Sequence, residues 1–158
     1  MVNRPPILPP ALGLLMMLGV FTAHFIRPIG LIFPYPINYI GLIPIVIGAA
    51  LNILADREFR IKGAIEHSEI ETQESLKLVT SGVYRISRNP AYLGLIFIIA
   101  GLAIWVGSLS PWLVVAIFPL VLTHVYIRAE EQRLLELFGL RYQQYCRLVP
   151  RWIQPKLN

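Results

Sequence analysis

Four runs of apolar residues, each 17–19 long, alternate with polar segments and turns along the chain, covering 10–26, 37–55, 91–107 and 111–127. As helices they would be about 25–29 Å long, near the lower bound for crossing roughly 30 Å of hydrocarbon. The pattern therefore predicts an all-α fold: a polytopic membrane helix bundle of four transmembrane helices, forming a single integral membrane domain over 1–158. A polar cytoplasmic loop precedes the third span, and a C-terminal amphipathic helix follows the fourth. The first run comes after Arg4, but no small-x-small cleavage site follows it and three further spans do, so a retained anchor is expected.

Local residue choices refine the bundle. The Pro-rich stretch 27–36 and the short stretch 108–111 read as turns between adjacent spans. Pro44 and Pro119 fall inside the second and fourth spans, where each removes a backbone hydrogen bond and predicts a kink. Gly41, Gly48, Ala49 and Ala50 offer small-residue contact for close packing of the second span.

Composition agrees with this class: 56% of residues are hydrophobic, 15% are charged, and mean hydropathy is +0.62. The net charge of +5 does not point to nucleic acid, because the basic residues flank the spans instead of clustering on a soluble module. Six Lys/Arg lie in 56–88 and six more from Arg128 onward, whereas 27–36 holds only Arg27 and the third connection holds no charge. The positive-inside rule then places both large polar segments and the N-terminus in the cytoplasm. One cysteine, Cys146, excludes an internal disulfide framework and any CxxC motif.

Two polar clusters carry the chemistry. In "LKLVTSGVYRISRNPAYLG", Thr80, Ser81 and Gly82 make a turn, and Asn89-Pro90 opens the third span as a helix start. Asn suits the capping position and Pro the first helical one, and a helix N-terminus in a crevice favours an anion. The same residues are equally those of a capped membrane helix, with Arg85 and Arg88 at the headgroups.

In "RAEEQRLLELFGLRYQQYCRLVPRW", the fourth span continues as an amphipathic helix with Leu134, Leu135 and Phe138 in its apolar stripe, ended by Gly139. Glu130 and Glu131 sit just beyond the hydrocarbon. They suit either a site or a surface network with Arg128 and Arg133. His24 and His124 are isolated in apolar spans, so no metal site is assigned. There is no Gly-rich dinucleotide fingerprint, P-loop or nucleophile elbow.

Together, "LVTSGVYRISRNPAYLG" and "EEQRLLELFGLRYQQYCRLVPRW" resemble the isoprenylcysteine carboxyl methyltransferase family and, more broadly, the membrane methyltransferases that include phospholipid N-methylating enzymes. The resemblance covers about 76–152. The pairing of Arg-Asn-Pro-x-Tyr-x-Gly with Glu-Glu-x-x-Leu-x-x-x-Phe-Gly is more specific than either half. It implies an integral membrane enzyme holding S-adenosylmethionine at the cytoplasmic ends of the last two spans, with S-adenosylhomocysteine as product. By position, Lys77, Leu78, Val79, Tyr84, Asn89, Pro90, Ala91, Tyr92 and Glu130 would bind the cofactor. A lipid-like or prenylcysteine-type acceptor, methylated on a carboxyl group, is the first expectation. Such an amphiphile would enter laterally from the bilayer.

Two positions depart from the family pattern. Asn89 stands where His is frequent, and Tyr126 stands where isoprenylcysteine members carry an Arg thought to meet the substrate. A catalytic residue is therefore not assigned. Tyr126, Arg128 and Glu131 are the candidates, with Tyr126 or Glu131 as proton acceptor if the nucleophile is a neutral amine. Phospholipid, thiol or amine methylation, an NADPH-dependent membrane reductase of the steroid-reductase type, and a non-catalytic membrane assembly protein remain as alternatives.

Overall fold

The structure is a computed structural model and describes residues 9–64 and 78–153. The expected pocket residue Lys77 lies outside them. Among the described residues the regular structure is helical, and the one extended pairing is an isolated bridge between Leu31 and Ser108.

The first apolar run forms α1 (Pro9–Ile26), and the second starts as a 3-10 turn (Ile37–Gly41) before continuing as α2 (Leu42–Ala64). Pro44 thus falls in the first turn of α2, where proline is tolerated. The expected mid-span kink is replaced by a change of helix type at the span's start. Beyond the apolar run, α2 carries Asp56, Glu58 and Arg60 onward in helical register, and Arg60 Nε donates to Asp56 Oδ2 at 2.7 Å one turn back. Part of the expected polar loop is therefore helix.

The third run forms α3 (Pro90–Val106), which ends on Gly107 in the left-handed conformation. The fourth forms α4 (Trp112–Val121), a π turn (Leu122–Ile127) and α5 (Arg128–Phe138), joined into one rod. Here the effect of Pro119 is realised as local widening: the π turn begins three residues on, and Thr123 Oγ1 donates to Pro119 O at 2.7 Å. Gly139 then ends α5 as expected, and a further helix, α6 (Leu140–Leu148), turns back toward the bundle.

Among the described residues, three helices are long and apolar enough to cross a membrane: Pro9–Ile26, Ile37–Ile61 and Trp112–Phe138. The apolar α3 is shorter, at 17 residues. Large apolar side chains cover the outward faces, with Leu14 67%, Val46 65% and Leu113 67% exposed. Such continuous outward apolarity suits lipid and not water, and marks an integral membrane protein.

At the centre of the bundle α3 contacts α1, α2 and α4. Its closest partner is α2, through reciprocal glycines seven residues apart. A Cβ on Gly41 would overlap the carbonyl oxygen of Gly101, and one on Gly48 that of Gly94. A seven-residue repeat keeps the same face turned to an antiparallel neighbour, so backbone packs on backbone along the pair.

The opposite sides of the bundle differ in chemistry. At the far end, the backbone N–H groups of Ile32 and Phe33 donate to Gly107 O at 2.7 and 3.0 Å, and Leu109 N–H donates to Ile29 O at 2.8 Å. There His24 Nδ1 lies 2.8 Å from the hydroxyl of buried Ser108. The other end gathers the C-terminus of α2, the N-terminus of α3, α5 and α6.

Candidate functional site

The site begins with the turn before α3. Ser81 Oγ donates to Glu58 Oε2 at 2.6 Å, fixing the turn to α2. Gly82 has φ +55, a conformation that favours glycine, and a Cβ there would push the Glu58 carboxylate aside. A single 3-10 turn (Gly82–Arg85) follows and presents half-buried Tyr84 inward. Burial, followed by the nearby carboxylates Glu130, Asp56 and Glu58, pushes its phenol up to about 12.

Ser87, Arg88 and Asn89 are held by the segment at 150–151. Ser87 Oγ and Asn89 Nδ2 both donate to Arg151 O at 3.0 Å, and Arg88 N–H donates to Pro150 O at 2.9 Å. Tyr145 on α6 donates its hydroxyl to Tyr84 O at 2.6 Å. The side chain of Asn89 therefore does not cap α3 as its position in sequence suggests; it is spent on the strap at 150–151. Pro90 still occupies the first helical turn, and the other N–H groups there have no side-chain cap.

Charge closes the arrangement. The Glu131 carboxylate receives Arg88 at 3.1 Å and Arg151 Nε at 3.1 Å, and its second oxygen is held by Arg151 Nη2. These partners are distant in sequence, and they replace the network with Arg128 and Arg133 that helical spacing suggests. The hydrogen bond to Glu131 raises the Arg151 guanidinium's affinity for its proton, and burial works against it. Arg88 also donates to Cys146 Sγ, while its buried Nε–H has no acceptor among the described residues. Tyr142 and Tyr145 on α6 form a small core with Val149 that Leu134 and Phe138 of α5 pack against. Burial first of all raises both phenols.

These elements enclose a cleft with a volume of about 100 Å³. Of the residues expected in the cofactor site, Leu78, Val79, Tyr84, Asn89 and Glu130 line it, as does Glu131. Tyr92 joins through its hydroxyl, which donates to Glu130 Oε2 at 3.2 Å. Pro90 is buried at the helix start and Ala91 is half-buried beside it, but neither is among the lining residues. Tyr126 is 5% exposed, sits in the core of the spans and lies 6.4 Å from the Tyr92 ring, centroid to centroid. Arg128 lies outside the cleft and lines a second cavity.

The cleft also uses residues that the sequence does not single out. Phe59 comes from the helical continuation of α2, and Arg88 turns inward from the surface position its charge suggests. Tyr142 and Tyr145 come from α6, where the spacing of Tyr142, Tyr145, Cys146 and Val149 is the available signal of a helix with one buried face.

In chemical terms the cleft offers a carboxylate at its mouth, phenols along its wall, one unused guanidinium N–H and an uncapped helix start. That set suits a ligand combining an anionic group, hydroxyls or amines and an apolar body. It brings no cluster of three metal-ligating side chains among the described residues.

The family model for phospholipid methyltransferases matches residues 37–141. A probable protein-S-isoprenylcysteine O-methyltransferase from Oryza sativa subsp. indica is 32% identical over 120 residues, covering 72% of this chain and 59% of that protein. Protein-S-isoprenylcysteine O-methyltransferase B from Arabidopsis thaliana is 32% identical over 147 residues, covering 89% of this chain and 71% of that protein. A Delta(14)-sterol reductase from Mus musculus is 36% identical over 88 residues, covering 54% of this chain but 21% of that protein. The chain thus spans well under the full length of each of these relatives. No solved structure matches it.

Proposed function

The chain belongs to the phospholipid methyltransferase family, and on that premise we propose that it is an integral membrane methyltransferase using S-adenosylmethionine in the cleft. The observation that carries this reading is the convergence of the two sequence clusters: the RNPAY segment and Glu130, far apart in the chain, meet through Tyr92 at a single cavity.

The residues present fit the cofactor. Arg88 has a buried N–H without an acceptor, and the start of α3 has no side-chain cap, both suited to its carboxylate. Glu130 is an exposed carboxylate able to accept from ribose hydroxyls or the amino group. Lys77, Leu78, Val79, Tyr84, Asn89, Pro90, Ala91 and Tyr92 complete the proposed site. The enclosed volume of about 100 Å³ is below the roughly 300–1,000 Å³ of ordinary ligand pockets, so binding widens the cleft.

When bound, S-adenosylmethionine supplies an electrophilic methyl group on its sulfonium. Methyl transfer is an in-line displacement, and the chain's contribution is positioning and exclusion of water. Glu130 holds the cofactor side, with the Tyr92 hydroxyl orienting its carboxylate. Glu131 already receives two guanidiniums, which gives it a structural role in place of proton transfer. Tyr126 is buried in the core of the spans, with its ring beside that of Tyr92.

All four apolar runs cross the bilayer in this reading, α3 included, with both polar ends and the cleft in the cytoplasm, as the distribution of Lys and Arg supports. The acceptor is an amphiphile entering from the lipid. Methylation of a carboxyl group is the first reading, because two relatives are named for isoprenylcysteine O-methyl transfer.

The match to a sterol reductase keeps a nicotinamide-dependent reductase as the second reading. Thermal stabilisation separates the two, since a ligand of the folded state raises its stability. S-adenosylhomocysteine is expected to raise the melting temperature and NADPH to leave it unchanged; the reverse would overturn the methyltransferase reading. A radiolabelled-methyl screen over prenyl thiols, phospholipids, and small thiols and amines then identifies the acceptor.

A further inference from the structure

Arg128 adjoins the two glutamates in sequence, yet it points to a second cavity of about 550 Å³ between α5 and α6. Arg88, Glu131 and Tyr142 line both this groove and the cleft, so they form the wall between them. On the α5 side stand Arg128, Gln132 and Leu135, spaced to share one helix face; on the α6 side stand Gln143 and Arg147.

The charges in this groove do not cancel. Its one acidic lining residue, Glu131, is already held by Arg88 and Arg151. Among the described residues, exposed Arg128 and Arg147 have no acidic partner. Two unpaired guanidiniums beside hydrogen-bonding glutamines are suited to a phosphate.

Position identifies the source of that phosphate. Arg128 directly follows Ile127, which is fully buried at the end of the apolar run, so it stands where the rod leaves hydrocarbon. The segment after α6 returns to the bundle and packs Trp152 against the core of the spans. Leu148, next to Arg147, is 80% exposed, and Leu135 in the groove is 40% exposed. Cations at headgroup height with leucines beside them match a phosphate carried on acyl chains.

We propose that the α5–α6 groove binds the headgroup of an anionic membrane phospholipid, which resides beside the cleft and is not methylated in it. Arg128 and Arg147 take the phosphate, and Gln132 and Gln143 hydrogen-bond the rest of the headgroup. The Arg88–Glu131–Tyr142 wall keeps this lipid out of the cleft. The inference depends on the membrane location of the chain and not on the identity of the methyl donor.

The full chain, purified in neutral detergent, is titrated by calorimetry with dioctanoyl phosphatidylglycerol, dioctanoyl phosphatidylcholine and glycerol 1-phosphate. Phosphatidylglycerol is expected to bind at least about tenfold more tightly than either other probe, and the Arg128→Gln/Arg147→Gln protein to lose at least about tenfold of that affinity. Each single substitution is expected to weaken binding about threefold at an unchanged melting temperature, which decides the matter if the double variant folds poorly. Undiminished affinity in the variants, equal binding of phosphatidylcholine, or glycerol 1-phosphate binding as tightly as the lipid would each overturn the proposal.

Discussion

The two ends of α3 are secured by opposite means. At Gly107 the chain uses backbone turns, a left-handed glycine and a few neutral hydrogen bonds: His24 with Ser108, Ser108 with Ser110, and Asn38 Nδ2 donating to Trp105 O. At Asn89 it concentrates a bridging carboxylate, two guanidiniums, three hydrogen bonds to the strap at 150–151 and four tyrosines. Between them, α2 and α3 meet through glycines without any charge. Packing alone suffices to hold the helices together in lipid, so the polar chemistry at one end is what supports the proposed ligand site there.

Breaking the cleft end should have the largest effect. Glu131→Ala leaves two partly buried guanidiniums without their carboxylate, and is expected to destabilise by about 2–4 kcal/mol while abolishing S-adenosylhomocysteine binding. Denaturation in detergent together with ligand titration measures both. The helical middle comes next: Gly48→Val forces a side chain into the Gly94 carbonyl, a loss of about 1–3 kcal/mol from overpacking. Its signature is a lowered melting temperature, with ligand affinity reduced only as far as the fold is lost.

At the far end the effect shrinks. Ser108→Ala removes one hydrogen-bonding partner of His24, with an expected loss of about 1 kcal/mol and no change in ligand affinity. The last effect shows only at alkaline pH. Because the Tyr84 phenol is raised from 10.0 to about 12, its contribution to stability is complete below pH 10 and is lost as pH rises toward 12. Tyr84→Phe should flatten that part of the stability profile, measured by thermal melts across the alkaline range.

The helical runs were legible because lipid demands long apolar segments, and the turn at Gly82 and helix start at Asn89-Pro90 because Gly and Pro act locally. The glycine repeat was half legible: Gly41 and Gly48 suggest a close partner, but only the fold shows that Gly101 and Gly94 supply it. The partners of Glu131 were not legible. Helical spacing offers Arg128 and Arg133, whereas the folded chain brings Arg88 and Arg151 from other segments. Asn89 similarly looks like a cap and instead binds the strap, since a backbone acceptor brought by tertiary contact competes with the helix's own N–H groups. α6 is short and polar on its outer face, so its inward tyrosines announce it only by their spacing.

The most direct test compares S-adenosylhomocysteine affinity in the wild-type chain, Glu130→Gln and Ser108→Ala, by calorimetry on detergent-purified protein. Measurable binding to wild type, a loss of about tenfold or more in Glu130→Gln at an unchanged melting temperature, and unchanged affinity in Ser108→Ala are the predicted results. Equal affinity in wild type and Glu130→Gln, or no binding to wild type, would contradict the assignment of the cleft.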